Sequence, residues 1–184
     1  MSSVKAAICI DNGYFGKLCR DKGFVIYFPK FVEHIAKKNN LKHYTAYIYD
    51  CMPHQSAEPT TEESERYAKK DRFFSSLKKD GFVIRLGKLQ RISRSGFKQK
   101  KVDTLWTADI SRLSYTKEID TVVIISGDSD FIPGIEIAHS VGVHTILWYG
   151  ESKNTGTSLD LIKNCKEVHK ITDDALNECK CYHK

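Results

Sequence analysis

The sequence predicts a three-layer α/β sandwich with a mainly parallel central sheet, and three observations lead to it. Short apolar runs such as AAICI at 6–10 and TVVII at 121–125 read as strands buried on both faces. Strand-like and helix-like segments alternate along the chain, the pattern of parallel strands joined by crossover helices. Aspartates stand immediately or almost immediately after strand ends, at Asp11, Asp50 and Asp128. Such positions share the carboxyl edge of a parallel sheet, where ligands of these folds bind.

The elements follow in order. Residues 6–10 stop at Asp-Asn-Gly, a turn signal, and a loop with Gly13, Gly16 and Gly23 is expected next. Phe31 to Lys38 places Phe31, Val32 and Ile35 on one helical face. YTAYIY at 44–49 is aromatic and β-branched and ends at Asp50, before a Pro-containing loop and a helical stretch at 62–79. FVIRL at 82–86 follows an Asp-Gly turn and predicts a third strand; residues 87–101 form a basic loop or hairpin. A helix spans about 103–115. The strand at 121–125 runs into Ser-Gly-Asp-Ser-Asp and then a helix over 131–141 with Pro133 in its first turn. HTILWY at 144–149, a Gly/Ser/Thr/Asn-rich loop, a helix near 158–165 and an edge strand at 168–171 complete the order. Residues 1–172 are expected to form a single domain, with 173–184 a C-terminal tail.

A chain of 184 residues can bury a core without disulfides or a structural metal. No apolar run reaches the roughly 18 residues a membrane span needs, and the run at 6–10 is too short for a signal peptide, so no membrane partner and a cytoplasmic location are expected. The six cysteines form no CxxC pair and are expected to be reduced; Cys179, Cys181 and His183, even with Cys165, match no recognised zinc spacing. The net charge of +6 suits a polyanionic partner without identifying one.

Asp11, Asp103, Asp128 and Asp130 come from distant parts of the chain and are expected to converge at one sheet edge. Clustered carboxylates repel, so a fold gathers them around a cation. Magnesium or manganese is expected, both being hard ions that prefer oxygen ligands. Such an ion binds a phosphate, activates a water and stabilises a leaving oxygen, which is phosphodiester hydrolysis. Each acid also has a structural use: Asp11 in a turn, Asp103, Asp128 and Asp130 as helix caps. Asp109, six residues beyond Asp103, is rotated about 120° from it and is expected to support a neighbour or sit at the rim.

At these residues the sequence resembles the NYN domains of the PIN-like nuclease superfamily, the group that includes LabA-like proteins. ICIDNGYF at 8–15, KKVDTLWTAD at 100–109 and VVIISGDSDFIPGI at 122–135, with the Gly142-Val143 step, carry the likeness, which extends to about residue 170. It implies a Rossmann-like, PIN-like fold, a metal-dependent ribonuclease, metal and catalytic positions at Asp11, Asp103, Asp128 and Asp130, and a supporting role for Asn12. Internal cleavage is the expected mode. Lys-Lys-Val-Asp replaces the family's common Lys-Gly-Val-Asp, adding charge beside the acids.

Lys88, Arg91, Arg94, Lys98, Lys100 and Lys101 place six cations in residues 88–101 with no acid among them, leading straight to Asp103. They are expected to hold RNA, single-stranded in keeping with the interspersed Phe97 and Ser/Gln side chains; a solvated hairpin is the plain alternative. Tyr14 and Phe15 suit base stacking or packing. The oligomeric state stays open, a homodimer included. Competing functions fit less well. A haloacid-dehalogenase-like phosphatase needs Asp-x-Asp where this chain has Asp11-Asn12-Gly13, and a Toprim-like site needs Glu after the first strand. A non-catalytic RNA-binding or adaptor module has no use for repelling acids. Neither a Walker loop nor GxGxxG is present, so no nucleotide cofactor is expected.

Overall fold

The structure, a computed structural model, describes residues 5–93, 96–100 and 102–181, with the backbone alone described for 89–93 and 96–100. Six parallel strands lie in the order β3 (Val83–Ser93), β2 (His43–Cys51), β1 (Lys5–Asp11), β5 (Thr121–Ile125), β6 (His144–Tyr149) and β7 (Glu167–Lys170). A seventh, β4 (Gly96–Lys100), pairs antiparallel with β3 at one edge. The α/β sandwich expected from the sequence is the observed architecture. Strand order reverses between β1 and β5, so their carboxyl ends open the crevice where doubly wound sheets bind ligands.

Alternation along β1 builds the two cores. Ala6, Ile8 and Ile10 face α1 (Asn12–Asp21), α2 (Phe28–Lys38), α3 (Thr61–Lys79) and α7 (Asp173–Glu178). Ala7 and Cys9 face α4 (Val102–Tyr115), α5 (Ile132–Ser140) and α6 (Leu159–Asn164). Both faces of β1 are covered, which is why its sequence is apolar without a gap.

Helix α1 replaces the loop expected from Gly13 and Gly16. Each helical glycine costs about 0.5–1 kcal/mol. The helix nevertheless forms because it buries Phe15 and Leu18 completely, at about 1.5–3 kcal/mol per side chain, and Asp11 caps it by accepting the Tyr14 N–H. Gly23, at φ +73°, ends the turn that follows. Helix α3 starts in a reciprocal capping box between Thr60 and Glu63. Residues 173–181, expected as a tail, carry α7: Ala175, Leu176 and Cys179 are buried, and Cys179 O accepts the Tyr27 N–H. His183 lies outside the described residues. No described helix is long and apolar enough to cross a membrane.

Candidate functional site

Asp11 and Asp128 meet at the carboxyl edge because Asp11 ends β1 and Asp128 follows three residues after the end of the adjacent strand β5. Asp11 Oδ1 accepts the Tyr14 N–H at 3.2 Å and Oδ2 accepts the Ser126 hydroxyl at 3.1 Å. Burial pushes the Asp11 carboxyl up to about 6; the Tyr14 and Ser126 hydrogen bonds oppose that shift, and the charge of Asp128 adds to it. Asp128 is exposed and caps a 3-10 turn over Ser129–Phe131, its Oδ1 accepting the Asp130 N–H at 3.0 Å.

Between these two acids lies a cleft of about 450 Å³. Gly13 and Lys17 of α1 form one wall, and Ser129, Asn154, Thr155 and Ser158 the other. The loop over 151–158 is fastened by Tyr14, whose hydroxyl donates to Gly150 O at 2.6 Å and lies 3.0 Å from Thr157 Oγ1. Asp21 holds the same loop, accepting from Ser152 at 2.6 Å and Thr155 at 3.2 Å. Gly127 makes the close approach possible: a Cβ there would overlap the Tyr14 ring and lie 2.5 Å from Gly156 O.

Asp103 is the second residue of α4, three before Trp106, whose ring packs edge-on against Phe131 at 4.9 Å. Asp103 therefore shares the helical face turned to the 3-10 turn, but neither it nor exposed Asp130 lines the cleft. Asn12 points to the opposite side of α1, where its amide donates to buried Asp50, which also binds Lys70. Asp109 is held by Arg85 in a two-pronged pair at 2.6 and 2.7 Å and by the Tyr49 hydroxyl at 3.1 Å. Phe15 is a core residue stacked on Phe31 at 4.4 Å, and Tyr14 is the loop fastener, so neither is a free stacking platform.

The β3–β4 hairpin extends past the last β2–β3 pair, Cys51 with Gly87, and so projects from the same edge as the cleft. Lys88 is exposed on it. Only the backbone of Arg91, Lys98 and Lys100 is described, and Arg94 and Lys101 lie outside the described residues.

Among the described residues, no group of three or more His, Cys, Asp or Glu side chains is arranged to hold a metal. Two of the four expected acids, Asp11 and Asp128, line one cleft. Its donors are two carboxylates with the oxygens of Ser129, Asn154, Thr155 and Ser158, a hard set without sulfur or imidazole. That set fits magnesium or manganese, which commonly use one or two carboxylates and leave the remaining positions to water and substrate phosphate.

Lys17 and the 151–158 loop were not singled out from the sequence as site residues. Their signal is conditional: once Asp11 is seen to cap a helix, Gly13 and Lys17 fall four apart on one face.

A family model described as the NYN domain matches residues 5–172. No curated protein matches the chain. Among solved structures, MurG from Acinetobacter baumannii aligns at 14% identity and TM-score 0.46, over 93% of this chain and 42% of that one. A protein described as a UDP-N-acetylglucosamine 2-epimerase from Listeria monocytogenes aligns at 8% identity and TM-score 0.47, over 97% of this chain and 42% of that one. The chain thus spans about two fifths of the length of each.

Proposed function

The chain belongs to the NYN domain family of PIN-like nucleases, and on that premise we propose that it is a metal-dependent ribonuclease working in the Asp11–Asp128 cleft. The observation that carries this reading is the pairing itself: a half-buried carboxylate raised to about 6 and an exposed one share a cleft at the switch point of the sheet. A site that destabilises its own ionised acid gains from a cation.

Asp11 and Asp128 would hold magnesium or manganese, with Asp103 and Asp130 as the further acids that could contribute to the ion. The bound ion would polarise the scissile phosphate and lower the pKa of the attacking water. Lys17, on the cleft wall, neutralises phosphate charge there. Ser126 orients Asp11 through its hydroxyl, and Tyr14 fastens the polar loop that forms one wall of the site. RNA is the substrate, entering as a single strand along the basic hairpin at 88–101. Asp109 and Asn12 support the fold behind the site rather than touching substrate. The cytosol is the proposed location, in keeping with six free cysteines.

A second reading is a non-catalytic RNA-binding module, favoured by the absence of a three-ligand group among the described residues. Incubating the protein with labelled linear and circular single-stranded RNA and matched DNA, in magnesium, manganese or EDTA, separates the two. Metal-dependent loss of circular RNA supports an endoribonuclease. Salt-sensitive binding without cleavage in either metal supports the binding module.

A further inference from the structure

On the far side of α1 from the acidic cleft lies a second cavity, of about 700 Å³, within the usual size of ligand sites. Helix α1 is the partition. Gly13 and Lys17 face the cleft, while Asn12, Gly16 and Arg20 face the second cavity, as a rotation of about 100° per residue requires. The opposite wall is one stripe of α3, Arg66, Lys69, Lys70 and Phe73, spaced i, i+3, i+4 and i+7. The end of β2 and the Met52-Pro53 segment close the base.

Its chemistry is of two kinds. The interior is mainly apolar and aromatic, with Phe24 and Phe73 half-buried along the walls and Phe15 and Phe28 behind them. The rim is cationic. Asp50 is the one acid lining the cavity among the described residues, and Lys70 and Asn12 already satisfy it. Arg20, Arg66 and Lys69 are exposed and form no ion pair among the described residues.

We infer that this cavity takes one unstacked nucleotide of the RNA strand whose neighbouring phosphate lies in the Asp11–Asp128 cleft, an assignment that rests on the RNA reading above. A flat base suits the aromatic interior, and the phosphates on either side of it suit cations spread over two helices. A single-headed anion such as a fatty acid would leave most of that charge unmatched. Asn12 and Asp11 are consecutive, so a strand crossing the start of α1 passes directly from one chamber to the other.

The test uses the full chain as the Asp128→Asn variant, which keeps the strand intact. RNA oligomers carrying 4-thiouridine at single positions are photo-crosslinked and the adducts mapped by mass spectrometry. Affinity is read by anisotropy at fixed salt for added Phe73→Ala and Arg66→Glu changes. The expected result is a crosslink within residues 20–28 or 66–73 from one position of the strand. Binding should weaken about tenfold in each variant, the scale of losing one base stack or one phosphate contact. Phe73 also touches Phe28 and Phe74, so Arg66→Glu, a surface change with an unchanged melting temperature, guards against misfolding. Crosslinks confined to the hairpin or to 151–158, with Arg66→Glu binding within twofold of its parent, would overturn the assignment. So would crosslinking there by free 4-thiouridine monophosphate but not by the strand. If the unsubstituted protein cuts no RNA yet crosslinks in this cavity, the ribonuclease reading fails and the nucleotide site stands.

Discussion

Asp11 and Asp128 share one hydroxyl: Ser126 Oγ donates to Asp11 Oδ2 at 3.1 Å and accepts the backbone N–H of Asp128 at 3.2 Å. Ser126 is itself buried. The bridge fixes the two acids relative to each other and favours the ionised form of Asp11 against the burial that opposes it. Ser126→Ala should therefore raise the Asp11 pKa above about 6, and Asp128→Asn, which removes a like charge, should lower it. Carboxyl-carbon NMR titration of metal-free protein reads both shifts. Identical titrations in all three proteins would show that the two acids are not coupled.

The same carboxyl gives stability a pH dependence of defined sign. Its folded pKa of about 6 exceeds the ordinary 3.8, so the native state binds the proton more tightly than the unfolded chain. This contribution is complete below about pH 4 and is lost as pH rises through 6. In EDTA at pH 7.5, Asp11→Asn should be more stable than the parent by about 3 kcal/mol, and the gap should close on titration toward pH 4. Asparagine keeps the acceptor for the helix cap and loses the one for the Ser126 hydroxyl, so the variant removes the charge together with that single hydrogen bond. Urea unfolding at several pH values measures it, and a variant less stable at pH 7.5 would refute the sign.

Gly127→Ala should disturb the loop over the cleft without removing any functional group. The added methyl meets the Tyr14 ring and Gly156 O, so either the loop or Tyr14 must move. Faster amide exchange at 151–158 and a loss of cleavage of about tenfold or more are expected, a displacement of about 1 Å costing catalysis heavily. Exchange and cleavage rates unchanged from the parent would mean that the loop does not shape the site.

Asp109→Asn should destabilise by about 2–4 kcal/mol, because Arg85 loses the charge that two hydrogen bonds now match. RNA binding measured well below the melting temperature should stay within twofold of the parent. A stable variant with weak binding would instead place Asp109 at the substrate.

Much of the fold can be read from the sequence because its strands are covered on both faces, leaving continuous apolar runs at 6–10 and 121–125. Helix α1 is not readable in the same way. Its two glycines argue for a loop, and the outcome turns on tertiary burial of Phe15 and Leu18 together with the Asp11 cap. The shared cleft of Asp11 and Asp128 follows from the ends of two adjacent strands. The directions of Asn12, Asp103 and Asp130 depend on helix phase and on a 3-10 turn, which residue spacing alone does not set. The pairing of Asp50 with Lys70 requires knowing that α3 packs over the end of β2.

The most direct measurement is single-turnover cleavage of labelled single-stranded RNA by the parent and by Asp128→Asn, purified in parallel, with manganese present and with RNA affinity measured alongside. The expected result is metal-dependent cleavage that falls by roughly a thousandfold or more in Asp128→Asn while affinity changes little, as for loss of a group acting in the transition state. Cleavage by Asp128→Asn at the parent's rate would contradict a catalytic site between Asp11 and Asp128.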